Sequence, residues 1–140
     1  MHLSMLFSTT LLFALYPPFI NGVKIIPRYP ETESIIHEAL LLINIMNSTE
    51  IPARVFFHLT DVSKNLENGN AITVRFLATD SNCTQLEWMR GNPKDCRPAT
   101  TLSTSKFIVV TATGKPSPDG KLTVNSIYRP ANDDDLLEAD

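Results

Sequence analysis

The hydrophobic periodicity of this chain changes once, near Pro52, and that change limits the folds open to it. Upstream, Ile36, Ala39, Leu40, Ile43 and Met46 recur at helical spacing. Leu41, Leu42 and Ile45 widen this stripe, so the expected helix is one that a sheet wraps over much of its circumference. Thr32 or Ser34 can cap it, Glu31 and Glu33 suit its positive end, and Asn47-Ser48-Thr49 followed by Pro52 stops it. Downstream the apolar residues recur with period two. Val55, Phe57 and Leu59 are expected on one strand face, with Arg54, His58 and Thr60 on the other. Ile72, Val74, Phe76 and Ala78 form the next inward face, opposite Thr73, Arg75 and Thr79.

Turn chemistry separates these strands. Asn65-Leu66-Glu67-Asn68-Gly69-Asn70 predicts a hairpin loop, and Gly114-Lys115-Pro116-Ser117-Pro118-Asp119-Gly120 a second. The latter lies between the β-branched run at Phe107–Val110 and a last strand carrying Leu122, Val124, Ile127 and Tyr128. Residues 80–98, with Gly91, Pro93, Pro98 and both cysteines, read as an excursion closed by a disulfide. Residues 23–30 read as an extended arm, because Pro27 and Pro30 disfavour helix in the residues before them. The sum is an α+β domain over residues 23–130, one N-terminal helix wrapped by a four- to five-stranded antiparallel sheet.

The two ends of the chain read differently from its middle. Leu3–Ala14 is an apolar run broken only by Ser and Thr, too short to cross a bilayer comfortably, and Ile20-Asn21-Gly22 supplies a small residue at a cleavage point. Residues 1–22 are therefore expected to be a signal peptide, although the segment before the run has His2 and no Lys or Arg. Cys83 and Cys96, the only cysteines, leave no thiol unpaired if they bridge each other, which suits an oxidising compartment. Asn47-Ser48-Thr49 and Asn82-Cys83-Thr84 fit the N-glycosylation pattern, making Asn47 and Asn82 candidate acceptors. The expected location is extracellular, with no membrane contact once the signal is cleaved. At the other end Asp133, Asp134, Asp135, Glu138 and Asp140 supply a third of the fifteen acids, and residues 131–140 are expected to be a disordered acidic tail. The formal net charge is −3; without those five acids the rest of the chain is +2, and it lacks the basic stripe that a nucleic-acid partner requires.

No constellation for catalysis stands out. His37 and His58 fall on polar positions, where solvated side chains are the ordinary reading. A Cys–His nucleophile needs a free thiol. Gly-x-Ser-x-Gly, P-loop, dinucleotide-binding and zinc-ligand patterns are all missing from the sequence. A non-enzymatic protein with no cofactor and no metal site is expected, and its oligomeric state is left open.

The order of parts resembles the cystatins and their relatives: a secreted arm, one long helix, a hairpin, a strand running into Cys83, a bridged loop, and a second hairpin over Phe107–Tyr128. The resemblance covers about residues 24–129 and implies a cystatin-like fold. It also implies partner contacts through the first hairpin loop, Asn65, Leu66, Glu67, Asn68 and Gly69, and through Pro116 and Pro118 of the second. Cystatins wedge a Gln-x-Val-x-Gly loop, a Pro-Trp pair and an N-terminal glycine into papain-like proteases. Here only Gly69 of the first loop matches, Glu67 stands in place of the valine, and the single tryptophan, Trp88, lies in the disulfide loop. No glycine lies between Gly22 and the helix, and the second cystatin disulfide has no cysteines. Of the Ser-Asn-Asp motif used against legumain, Met46-Asn47-Ser48 keeps only the asparagine. The implied function is a secreted protein that binds another protein and is weak or inactive against papain-like enzymes. The alternative is a functional inhibitor of a cysteine protease, papain-like or legumain, with an unusual first loop.

Overall fold

The computed structural model describes residues 19–20, 23–45, 52–90, 95–99 and 106–137. The fold is α+β: a helix α1 (Thr32–Ile45) packs on an open antiparallel sheet of four strands. These are β3 (Pro52–Asn65), β4 (Ala71–Thr84), β5 (Phe107–Pro116) and β6 (Leu122–Pro130), in the order β3-β4-β5-β6. The arm adds no fifth strand to this sheet; β1 (Phe19–Ile20) and β2 (Val23–Lys24) pair only with each other. Two short helices complete the described elements, α2 (Gln85–Arg90) and α3 (Asp133–Leu137).

α1 starts on backbone carbonyls and not on a hydroxyl. The Thr32 amide donates to the Tyr29 carbonyl at 3.1 Å and the Ile35 amide to that of Glu31 at 2.9 Å. Neither expected cap acts as one: Thr32 is buried with its Oγ1 unpartnered among the described residues, and Ser34 faces solvent. At its other end Asn44, fully buried, accepts the Arg54 amide at 2.7 Å and donates to the Arg54 carbonyl at 3.1 Å. One side chain thus satisfies both backbone groups of a strand residue and ties the last helical turn to β3.

Ile35, Ala39, Leu40 and Ile43 bury against Val74 and Phe76 of β4 and Ile108, Val110 and Ala112 of β5. Ile36, expected at the centre of this contact, packs at its margin. The helix is less enclosed than its apolar content suggests. Leu42 and Ile45 are about half exposed, at 43% and 53%, because an open four-stranded sheet covers one side of a helix and does not encircle it. Met46 lies outside the described residues.

Strict alternation fails in β3. The β3–β4 register shifts between Phe56 and His58 and again between Leu59 and Asp61, each time placing an extra residue on β3. Val55 and Leu59 keep to the helix side, but Phe57 turns to the other face, where its ring meets Phe107 edge-on at 4.9 Å. Phe56 takes the inner side instead, 5.9 Å from the Phe76 ring. The expectation that Val55, Phe57 and Leu59 share a face is corrected by these bulges.

The back of the sheet carries a second, smaller cluster: Leu77, Phe107, Val109, Ala131 and Leu136. Leu136 belongs to α3, so residues 131–137 are ordered against the sheet and are not the start of a disordered tail; residues 138–140 lie outside the described residues. The reason is a local anchor. Arg129 donates from both guanidinium nitrogens to Asp135, at 2.8 and 3.0 Å, and Asn132 and Asp135 exchange side-chain-to-amide bonds at 2.8 and 3.0 Å in a capping arrangement. The Arg129 bond holds the Asp135 carboxyl below the ordinary carboxylate range, with help from the Asn132 amide and the charges of Arg129 and Arg75 against a desolvation penalty.

Residues 80–98 also differ from the expected excursion. β4 runs on to Thr84, and α2 follows at once, opened by a reciprocal capping box in which the Thr84 amide reaches Glu87 at 3.0 Å and the Glu87 amide reaches Thr84 Oγ1 at 3.2 Å. The disulfide Cys83–Cys96 is formed, with Cα atoms 5.6 Å apart. It joins β4 to a returning segment that makes a single bridge, Ser81 with Pro98, and not to a neighbouring strand.

Candidate functional site

Both hairpins turn at the same end of the sheet. The first loop, residues 66–70, follows β3 directly. Asn65 shapes it: its Oδ1 accepts the Glu67 amide at 3.0 Å and the Asn68 amide at 3.2 Å, an Asx turn that folds the chain back. Gly69 and Asn70 then adopt left-handed φ values of 62° and 61°. Glycine takes these freely, and asparagine tolerates them better than most residues. Asn65, Leu66, Glu67, Asn68 and Gly69 are all exposed, Leu66 at 75%.

The second loop is tighter than expected. Gly114, Lys115 and Pro116 are still strand, opposite Val124, Thr123 and Leu122, so the loop proper is residues 117–121. The Ser117 amide and hydroxyl both donate to the Lys121 carbonyl at 2.8 Å, and Ser117 Oγ donates to Asp119. That hydroxyl bond, followed by the Lys121 amide, holds the Asp119 carboxyl below its ordinary value. Pro118 sits in the turn, exposed, and Pro116 ends β5.

The first loop touches the end of the second hairpin. Lys115 Nζ donates to Asn68 Oδ1 at 3.4 Å, and a Cβ placed on Gly69 would lie 3.0 Å from Lys115 Cε. Together they enclose a concavity of about 380 Å³ bordered by Asn68, Lys115, Pro116 and Pro118. Every first-loop residue singled out in the sequence, together with Pro116 and Pro118, therefore belongs to one end of the molecule. Its surface is polar, and Leu66 is its one large exposed apolar side chain. The arm approaches the same end: Lys64 Nζ lies 5.3 Å above the Tyr29 ring.

Asn82 is exposed beside the disulfide, and its Oδ1 accepts the Arg97 amide at 2.9 Å. Asn47 lies outside the described residues. His37 stacks on Trp88 with ring centroids 5.8 Å apart, while His58 is half-buried on β3. Among the described residues no group of three or more His, Cys, Asp or Glu could hold a metal ion, and no helix is long and apolar enough to cross a membrane.

A larger groove, about 720 Å³, lies away from the hairpins, between α1, β3 and α2. Ile36, Leu40, Val55, Phe56 and Trp88 are among the residues that line it, as are Arg28 and Glu33. Sequence reasoning missed it, because it depends on the Phe56 bulge and on α2. The second was legible: Thr84-Gln85-Leu86-Glu87 is a capping-box pattern.

The chain matches no protein-family model, no curated protein and no solved structure.

Proposed function

We propose that this chain is a secreted, non-enzymatic domain of cystatin-like arrangement that binds another protein through its paired hairpin ends, and that it is weak or inactive against papain-like proteases. The contact between Lys115 and Asn68 carries this reading: it makes the ends of two hairpins distant in sequence into one surface of the kind a protein partner covers. The order of helix, hairpin, bridged loop and hairpin supports the cystatin-like arrangement, and the Cys83–Cys96 disulfide suits an oxidising compartment.

The weakness follows from what the loop tip offers. Burying Leu66 in a protease cleft is worth roughly 1.5–3 kcal/mol. Glu67, exposed beside it, would have to shed its water in the same step, at a comparable or larger cost unless the cleft supplies a partner. The alternative, an effective inhibitor with an unusual loop, draws its support from the high exposure of Leu66.

Inhibition assays against papain-like enzymes and legumain separate the two. The unmodified chain should inhibit papain-like enzymes feebly, and Glu67→Val should strengthen inhibition by about tenfold or more by removing the desolvation cost. Asn65 stays in place in this test, since its side chain builds the turn. Tight inhibition by the unmodified chain would overturn the weak-inhibitor reading. No gain from Glu67→Val would separate the first loop from any protease contact.

A further inference from the structure

The two edges of the sheet are unlike. β3 is interrupted by register shifts at three places and carries Arg54, Asp61 and Lys64, features that discourage another strand from pairing along it. β6 has no register shift, one charged residue, and one proline, Pro130, at its last position. Its pairing with β5 runs unbroken from Leu122 to Pro130, and it consists largely of β-branched, aromatic and small polar residues. Ile127 and Tyr128 point to opposite faces of the strand and are 74% and 51% exposed. The only charge on β6, Arg129, is engaged within the same chain by Asp135. The charge that would ordinarily protect such an edge is thus already neutralised, and among the described residues no strand pairs with the outer side of β6, where the backbone groups of alternate residues face outward.

We propose that β6 is a self-association edge, pairing antiparallel with β6 of a second copy to form one continuous sheet of eight strands from two four-stranded ones. Full overlap of Leu122–Pro130 places Ser126 on the two-fold axis, opposite its own counterpart. In that register Tyr128 faces Val124 and Ile127 faces Asn125 of the other copy, so each large exposed side chain gains a cross-strand neighbour. Arg129 faces Thr123, and no like charges stand opposite one another. Lys121, just before the strand, comes beside Ala131 and the exposed Asp133 and Asp134 of the other copy, which adds charge complementarity at both ends. Moving the axis toward Arg129 would bring the two guanidinium groups together, and moving it toward Lys121 would leave Ile127 and Tyr128 beyond the overlap. The hairpin ends stay free and point in opposite directions, so such a dimer presents two partner sites.

Light scattering on the purified full chain over a range of concentrations tests the association, and engineered cysteines test the register. The expected results are a reversible dimer, spontaneous disulfide-linked dimer from Ser126→Cys but not from Thr123→Cys, and dimerisation weakened about tenfold or more by Ile127→Lys, because that change enters a symmetric interface twice. Circular dichroism should show Ile127→Lys folded, since the side chain is exposed. A chain that stays monomeric to millimolar concentration would overturn the proposal. So would a dimer that Ile127→Lys leaves intact and Ser126→Cys does not link, since it would use another surface. The outcome is independent of the protease assays, which read the hairpin end.

Discussion

The two faces of the sheet are held in different ways. On the front, four residues of α1 bury against inward side chains of the strands, in one cluster that spans the sheet. On the back, five residues form a patch closed by a helix of only five residues, and that helix depends on one ion pair and one capping arrangement at its start. Apolar area removed from water sets the scale of both, at roughly 25 cal/mol per Å². The front should therefore carry the global stability, whereas the back should open locally while the rest stays folded.

Substitutions that distinguish the faces should differ in size and in kind. Leu40→Ala, at the front, is expected to cost about 2–5 kcal/mol in denaturant unfolding through lost burial and a cavity. A change under about 0.5 kcal/mol, typical of surface sites, would remove the front from its central role. Gly114→Ala comes next. An added Cβ would lie 2.5 Å from Ile35 Cγ1 and 2.6 Å from Cδ1, so about 1–3 kcal/mol of overpacking is expected. Because the two shortest approaches are to Ile35, with Leu122 Cδ1 next at 3.3 Å, Gly114→Ala combined with Ile35→Ala should cost less than the sum of the two single changes. Additive costs would place the strain elsewhere.

Leu136→Ala should cost less than about 2 kcal/mol globally, because losing α3 forfeits only the small back cluster. Its local effect should be larger: the Ala131 amide, which donates to the Phe107 carbonyl at 3.0 Å, should exchange much faster with solvent. A global loss equal to that of Leu40→Ala would erase the distinction between the faces. The smallest effect is electrostatic. Asp135 is held below its ordinary carboxylate value, first by the Arg129 bond, so it binds its proton less readily folded than unfolded. Its contribution is present above the unfolded value, about 3.9, and is lost as pH falls through the lower folded value. The methyl resonances of Leu136 should report release of α3 below about pH 4 while the front stays intact, and Asp135→Asn should release it at neutral pH. Release that takes down both faces together would contradict local opening.

Much of the molecule was legible along the chain. Helical spacing in 35–46 and period-two spacing in 72–78 are local signals, as are the Asn- and Gly-rich loops, and each element appears where its own residues favour it. Thr84-x-x-Glu87 is equally local, a capping box that marks the start of α2 between the two cysteines. The loop residues of the candidate site were also readable, since Asn65 builds its turn with amides two and three positions on.

Other features depend on partners far away in sequence, and only the tertiary structure decided them. The bulges that turn Phe57 to the back arise from register against β4, where two β3 residues share one opposite position. Asn44 is an unremarkable helix residue until Arg54 offers it a donor and an acceptor. The burial of Leu136 needs Leu77 and Phe107 already in place on the back of the sheet. Nor could spacing alone tell that Asn68 and Lys115 meet, because pairing of β4 with β5 is what brings the two hairpin ends together. Local preference acts over one turn or one pleat, whereas the facing of strands, the closeness of the hairpin ends and the placing of β6 at the edge of the sheet are set by long-range register and burial.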